Sequence, residues 1–254
     1  MRIMTFNIRC ADVRGDIWQN RIGIVAQTMS ESEADSIGVQ EAHPYWMRAL
    51  KRKLKEKYAY AGVGRDNGKN RGEYSAVFYL KDKYNLLDSG TFWLSQTPDK
   101  PSYGWDAVCK RVCTWVLLEN KETKQKYVHM NSHFDHIGVE ARSKSVDMIV
   151  EKAKEFGDIP VVFTADMNVP QNSENYTQFM ESGVFADTKF TAPDTMDYCT
   201  YHDTEPEKHG IESVIDYIMI NSHFEASVYK ILTEGINGRF VSDHYPVYAD
   251  VEIK

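Results

Sequence analysis

Apolar and polar positions along the chain predict an alternation of strands and helices. Residues 2–8 form an apolar run that predicts a strand, and residues 18–29 carry apolar side chains at helical spacing. Residues 37–39 return to a strand, and Pro44 suits the first turn of a second helix that runs to about Lys57. The chain therefore begins with strand, helix, strand and helix.

β-Branched and aromatic residues dominate the middle of the chain. Four segments of this kind are separated by short polar connections, and together they predict an antiparallel meander. The segments are residues 74–80, 84–94, 111–118 and 127–134.

The last part of the chain returns to mixed helices and strands. Apolar spacing predicts a helix over 139–156, a buried strand at 160–164, and a short helix over 172–183 that is capped by Asn172 or Ser173. Because the two halves follow a similar plan, we expect two packed sheets with helices on their outer faces. The remaining predicted strands lie near residues 214–220, 226–232 and 247–253.

Composition favours a single domain over residues 1–254, because 42% of the residues are hydrophobic and no linker or repeat interrupts the chain. No run of about 18 apolar residues is present, so we expect no membrane span.

The four cysteines form no CxxC motif, and Cys109 and Cys113 would lie about 13 Å apart on one strand. A cytoplasmic location is therefore expected, and secretion stays open if a leader has been removed.

The chain carries 30 basic and 37 acidic residues, a net charge of −7. This balance opposes a firm grip on a long polyanion, so we expect no stable binding of duplex DNA. The basic run between Lys51 and Lys57 is more typical of a solvated helix face than of a binding patch.

Polar and ionisable side chains stand at the ends of several predicted strands, where they can meet at one rim of the sheets. Asn7 ends the first strand and Glu41 ends the second. A hard cation such as Mg²⁺ prefers such oxygen ligands. Taken alone, each residue also suits a structural role, Glu41 at a helix N-terminus and Asn7 in a turn.

Asp166 and Asn168 follow the buried strand at 160–164, and alternation places them on one side of the chain. Such a carboxylate can orient and deprotonate a water while the amide stabilises charge on phosphorus, although Asp-x-Asn also suits a turn. His133 ends another strand and is a candidate donor to a phosphoryl oxygen. A structural pair of His133 with Asp135 is the alternative.

Asp216 lies within an apolar strand, where a buried carboxylate is costly unless it is paired. His244 is the expected partner, because an Asp–His hydrogen bond fixes the tautomer of the ring and raises its basicity. Asp243 adjoins His244 and can face a metal directly or through water. The occurrence of several such motifs in one chain predicts a single site.

In their order along the chain, these motifs resemble those of the endonuclease/exonuclease/phosphatase superfamily with the DNase I-like fold. The segment from Gly90 to Arg142 is similar to a bacterial branch of the superfamily and to its deadenylase-like members. The resemblance implies an α/β fold in four layers, in which two packed, mostly antiparallel β-sheets are flanked by helices. The residues that carry it are Asn7, Gln40-Glu41, Asp166-x-Asn168, Ile215-Asp216-Tyr217 and Ser242-Asp243-His244.

The resemblance also implies a Mg²⁺ or Mn²⁺ cofactor that Glu41 binds, with Asn7 and Asp243 nearby. It implies that Asp166 positions the attacking water and that Asn168 assists it. A bound metal would neutralise charge and lower the pKa of a bound water.

Further roles follow from the same resemblance. Two histidines stabilise the phosphoryl oxygens: His133, which Glu73 orients, and His244, which Asp216 orients. Four residues are candidates for binding the phosphates or a base of the substrate, although packing against aromatic side chains or in the core is the alternative. These four are Arg65, Arg111, Arg142 and Tyr74.

Two positions depart from the family pattern. Arg9 stands where some relatives carry a carboxylate, which argues against a second metal ligand there, and Ala165 stands where glycine is frequent.

We therefore expect a Mg²⁺- or Mn²⁺-dependent phosphoesterase of nuclease or phosphatase type, in which an activated water attacks a phosphodiester or phosphomonoester in line. The expected substrate is a nucleotide, a single-stranded nucleic acid or a small phosphate ester, and the expected assembly is a monomer. One alternative is a non-catalytic protein that binds a phosphate ligand on the same fold. Another is a purely structural sandwich.

Overall fold

A computed structural model describes residues 1–13, 15–203, 205–210, 213–235 and 239–254. These residues form thirteen β-strands, five α-helices and a 3₁₀ turn at Pro206–Lys208. The strands are β1 (Arg2–Asn7), β2 (Ser36–Ala42), β3 (Tyr58–Ala61), β4 (Tyr74–Leu80), β5 (Tyr84–Trp93), β6 (Val112–Asn120), β7 (Lys126–His133), β8 (Val161–Asp166), β9 (Phe185–Asp187), β10 (Asp194–Thr195), β11 (Asp216–Asn221), β12 (Phe224–Ile231) and β13 (Val247–Ile253). The helices are α1 (Trp18–Glu31), α2 (Pro44–Leu54), α3 (Val139–Glu155), α4 (Glu174–Glu181) and α5 (Thr188–Thr191).

The strands build two sheets, with the orders β10-β12-β13-β1-β2-β4-β3 and β5-β6-β7-β8-β11-β9. Most neighbouring strands are antiparallel, and the parallel pairs are β1–β2, β7–β8 and β10–β12. The expected α/β fold is thereby confirmed. The predicted four-stranded meander is wrong in one strand, because β4 pairs with β2 and β3 in the other sheet and only β5, β6 and β7 are consecutive neighbours.

The strand β1 shows how alternation creates the layers. Met4 and Phe6 belong to the core beneath α1 and α2, whereas Ile3 belongs to the core between the sheets. Helices α3 and α4 cover the outer face of the second sheet, where Ile149 and Phe179 pack. Among the helices of the described residues, none is both long and apolar enough to cross a bilayer.

A polar network joins the two sheets close to the strand ends that carry the predicted chemistry. Asn131 donates to two backbone carbonyls of the first sheet, both at 3.0 Å. Gln40 donates to Asn131 Oδ1 at 2.7 Å and to Thr5 Oγ1 at 3.0 Å. The sheets approach closely here, since a Cβ on Gly38 would lie 2.1 Å from Thr164 Oγ1. This packing fixes β1, β2, β7 and β8 relative to one another.

Candidate active site

A cleft of about 440 Å³ opens at the rim where the ends of β1, β2, β7 and β8 meet. The parallel register of β1 with β2, and of β7 with β8, brings polar residues from both sheets to this rim. The predicted residues that line the cleft are Glu41, Arg65, Glu73, Arg111, His133, Asp166, Asn168 and His244.

Asp166 lies at the centre of the cleft, at the last position of β8. Its Oδ2 accepts a hydrogen bond from Asn7 Nδ2 at 2.8 Å, and its Oδ1 accepts one from the Asn168 N–H at 2.9 Å. His133 Nε2 lies 3.4 Å and His244 Nε2 lies 3.8 Å from the same Oδ2. Burial raises the pKa of Asp166 to about 7; the positive charge of His244 opposes this rise and Asp216 adds to it. A carboxylate with this pKa can accept a proton from water near neutral pH.

His244 and Asp216 form the expected pair, with His244 Nδ1 and Asp216 Oδ2 2.8 Å apart. Burial disfavours the charged ring, but the nearby carboxylates of Asp216 and Asp166 outweigh burial and raise the pKa of His244 to about 10. The ring is therefore a cation at neutral pH, so its Nε2–H can donate to an anionic oxygen in the cleft.

Glu41 projects from a β-bulge in β2 and has a positive φ of 62°. Its Oε1 accepts from Asn7 Nδ2 at 3.0 Å, and its Oε2 accepts from the Cys10 N–H at 2.8 Å. Burial alone would raise the pKa of Glu41, but the hydrogen bond from Cys10 and the charge of His244 bring it below its ordinary value. Asn7 turns its Nδ2 toward Glu41, and its Oδ1 accepts from the Arg9 N–H at 3.0 Å. The hard oxygen donors on this side of the cleft are therefore those of the ionised Glu41 carboxylate, and such donors fit Mg²⁺ or Mn²⁺.

Arg9 lines the cleft near Glu41. It has a positive φ of 54°, and its Nη1 lies 2.6 Å from Asp243 Oδ2. The guanidinium therefore already supplies a positive charge beside Asp243. Arg9, which stands where some relatives carry a carboxylate, thus forms an ion pair with Asp243.

Glu73 was expected to orient His133, but its carboxylate instead engages Arg65. Arg65 Nη1 and Nη2 donate to the two oxygens of Glu73 at 2.7 and 3.0 Å. His133 Nδ1 lies 4.0 Å from Glu73 Oε2, too far for a hydrogen bond, and within the described residues this atom has no hydrogen-bond partner. Burial, together with the charge of Arg111, holds the pKa of His133 well below its ordinary value, so the ring is neutral.

The four candidates for substrate binding separate into two groups. Arg65 and Arg111 line the cleft. Arg142 lies on α3, where its Nη1 donates to the backbone carbonyl of Asp135 at 2.9 Å. The Tyr74 ring is buried in the core beneath α1 and α2, and its hydroxyl donates to the backbone of a neighbouring loop.

Sequence reasoning gave no role to three residues that line the cleft: Cys109, His136 and Tyr201. Tyr201 packs against His244, and the centroids of the two rings are 5.0 Å apart. All three lie outside the regular strands and helices, so strand-end patterns did not point to them.

The sequence model of the Endonuclease/Exonuclease/phosphatase family matches residues 4–244 of this chain. The chain belongs to this family. The match runs from β1 to His244 and so includes the cleft residues described above. Family membership supports hydrolysis of a phosphate ester in general.

Several solved structures share the fold of this chain. A mannosyl-6-phosphatase from Bacteroides thetaiotaomicron VPI-5482 is 36% identical over 100% of both chains, with a TM-score of 0.93. A family protein from Bacteroides vulgatus is 38% identical over 100% of this chain and 98% of that chain, also with a TM-score of 0.93. The human Nocturnin catalytic domain shares the fold at 18% identity and a TM-score of 0.77, with 100% of this chain and 93% of that chain covered. A search among curated proteins gave no match.

Proposed function

We propose that this protein is a divalent-metal-dependent phosphatase that hydrolyses a phosphomonoester of a small, sugar-sized molecule. The observation that carries the proposal is the position of Asp166, which contacts Asn7 and Asn168 and lies within 4 Å of the Nε2 atoms of His133 and His244. A base and two phosphate-binding donors at one point are the parts that in-line attack by water requires.

The proposed substrate class rests on two further observations. The 36% identical relative from B. thetaiotaomicron is a mannosyl-6-phosphatase. The net charge of −7 and a cleft of about 440 Å³ favour a small phosphate ester over a long polyanion.

In the proposed reaction, Asp166 accepts a proton from the attacking water as the water oxygen bonds to phosphorus. The bond between phosphorus and the ester oxygen breaks, and the leaving alkoxide takes up a proton from solvent. Asn7 and Asn168 hold the two oxygens of Asp166, so the carboxylate enters the reaction already oriented. The raised pKa of this buried carboxylate makes it a stronger base than an exposed aspartate.

The two histidines have different charge states and therefore different proposed roles. His133 is neutral and can donate a hydrogen bond from Nε2 to a phosphoryl oxygen. His244 is cationic, is held by Asp216, and can stabilise the negative charge that develops on the phosphoryl group.

Glu41, positioned by the hydrogen bond from Asn7 Nδ2, would hold the metal. A bound Mg²⁺ or Mn²⁺ would offset negative charge on the phosphate. The contribution of the chain itself is to present an ionised Glu41, whose pKa lies below its ordinary value, at the wall of the cleft.

The test is a hydrolysis panel of mannose 6-phosphate, p-nitrophenyl phosphate, oligo(A) RNA and sphingomyelin, with Mg²⁺, with Mn²⁺ and with EDTA. We expect metal-dependent release of phosphate from the monoesters, and a decrease of about 10²- to 10⁴-fold in Asp166→Asn. Turnover that persists in EDTA, or that survives in Asp166→Asn, would contradict the proposal. Binding of phosphate without any turnover would favour a non-catalytic binding protein.

A further inference from the structure

We propose that Arg111 and His136 form a subsite for the third non-bridging oxygen of a phosphomonoester, and that this subsite selects monoesters over diesters. The inference rests on the proposed function, because it names what determines the substrate class at the same cleft. It is carried by the hydrogen bonds of Arg111, which leave part of a buried guanidinium unused.

Arg111 immediately precedes β6 and lines the cleft although its residue surface is only 4% exposed. Its Nε lies 3.4 Å from Asp135 Oδ2, and its Nη2 lies 3.1 Å from His136 Nδ1. Within the described residues, Nη1 is buried and has no hydrogen-bond partner. A buried donor without a partner is costly, so its presence beside a cleft points to a ligand that satisfies it.

The charge of Arg111 is only partly compensated by its ion-pair partner. Asp135 also accepts hydrogen bonds from three backbone N–H groups, those of Cys109, Ile137 and Gly138, at 2.8 to 3.0 Å. Its contact with Arg111 is the longest of the four, at 3.4 Å. The carboxylate is therefore shared among four donors, and Arg111 retains positive charge for an anion.

Arg65 provides the contrast within the same cleft. Both of its Nη atoms bind the carboxylate of Glu73, in a bidentate pair of 2.7 and 3.0 Å. Its charge is matched by one carboxylate in good geometry. Of these two arginines in the cleft, Arg111 is the one whose Nη1 is not engaged by a carboxylate among the described residues and whose charge can act on a bound anion.

His136 extends the subsite toward solvent. Because Arg111 is always a donor, His136 Nδ1 must accept this hydrogen bond, and the N–H of the ring is then at Nε2. The ring is exposed and lines the cleft, so this second N–H is available to an incoming anion.

The subsite adjoins the reacting centre. Strand β6 pairs with β7 through Cys113 and Ser132, so Arg111 and His133 lie at the same end of that pair. The charge of Arg111 is close enough to lower the pKa of His133, after burial the largest cause of that shift. An oxygen bound by Arg111 would therefore belong to the same phosphoryl group that His133 contacts.

The charge and shape of the two ester classes give the selectivity. A phosphomonoester carries between one and a half and two negative charges near pH 7 and has three non-bridging oxygens, roughly as a phosphorylated side chain does. A diester carries one charge and has two such oxygens. Donors directed at the third oxygen therefore stabilise only the monoester.

The experiment compares p-nitrophenyl phosphate with methyl p-nitrophenyl phosphate, which differ by one methyl group on a phosphate oxygen. The variants are Arg111→Met and His136→Ala, with Lys110→Met as the control, because Lys110 carries the same charge one residue away and donates instead to the backbone of Asp66. We expect kcat/KM for the monoester to fall by about 10- to 100-fold in Arg111→Met, and by less in His136→Ala. The rate on the diester should change by less than about threefold in each variant.

Equal losses on both esters, or no loss on the monoester in a folded variant, would overturn the proposal. His136→Ala keeps the test valid if Arg111→Met fails to fold, because the ring of His136 is exposed. A separate readout is the thermal shift caused by inorganic phosphate, which we expect in wild type and Lys110→Met and expect to shrink in the two subsite variants. If wild type hydrolyses neither ester, the proposed function fails, and this shift alone decides whether the subsite exists: no shift, or an equal shift in all variants, would overturn it.

Discussion

Asp216→Asn removes a charge from the Asp216–His244 pair while preserving its shape. The asparagine oxygen can still accept from His244 Nδ1, which now lies 2.8 Å from Asp216 Oδ2. The amide nitrogen would occupy the place of Asp216 Oδ1, an atom that is buried without a partner in the described part of the chain. The variant therefore separates the charge of Asp216 from its positioning of the ring.

The magnitude follows from the difference between charged and neutral hydrogen bonds. A hydrogen bond to a charged group contributes about 1.5 to 3 kcal/mol, whereas a neutral one contributes about 0.5 to 1.5 kcal/mol. The substitution therefore removes roughly 1 to 1.5 kcal/mol of stabilisation from the cationic form of the His244 ring. The raised pKa of that ring depends on Asp216 and Asp166 acting against burial. If this cation stabilises the transition state, kcat falls by about 10-fold.

The assay is kcat on p-nitrophenyl phosphate at saturating metal, alongside thermal unfolding. Asp216→Ala serves as the comparison, because it removes the hydrogen bond as well as the charge and should cost about 100-fold. A wild-type kcat in Asp216→Asn would refute the reasoning, since the charge on the ring would then be irrelevant to the reaction.

Three further predictions concern packing, acid stability and the metal. Gly38→Ala should lower the free energy of unfolding by about 1 to 3 kcal/mol in urea titrations, because the added Cβ would lie 2.1 Å from Thr164 Oγ1. The control is Gly23→Ala on α1, where a Cβ meets no described atom outside the helix within 4 Å, and it should raise the free energy of unfolding by up to about 1 kcal/mol. Backbone N–H groups and Arg111, acting against burial, lower the pKa of Asp135 to about 2, so its stabilisation is complete above about pH 4 and is lost as the pH falls toward 2. Asp135→Asn should flatten the dependence of unfolding on pH in that window, and an unchanged slope would contradict this. Glu41→Gln should weaken Mn²⁺ binding by at least about tenfold in calorimetry, and equal affinity would place the metal elsewhere.

The local sequence pattern was sufficient to predict most of the helices and strands, because alternation and helical spacing depend on neighbouring residues. Strand β4 matches its predicted range of 74–80, and Ser173 caps α4 as one of the two proposed residues. The predicted pairing of β4 with β5 was wrong. The choice between the two sheets depends on contacts of β4 with β2 and β3, which the local sequence pattern does not contain. The short strands β3, β9 and β10 offered too few residues for a periodic signal.

The site was predictable where a residue ends an apolar strand. Asp166, His133 and Glu41 meet in the cleft as strand-end geometry implied. The pair of Asp216 with His244 was expected from the sequence. Other pairings of side chains were not predictable, because they depend on distances between segments far apart in sequence. Arg9 contacts Asp243 across 234 positions of the chain, for example.

The most direct test of the central claim is hydrolysis of p-nitrophenyl phosphate in water enriched in ¹⁸O, with the released phosphate analysed by mass. If a water activated by Asp166 attacks phosphorus, the phosphate gains one ¹⁸O and the p-nitrophenol gains none, and Asp166→Asn loses this labelled product while Mn²⁺ still binds. Label in the p-nitrophenol, or labelled phosphate formed at the wild-type rate by Asp166→Asn, would contradict the account.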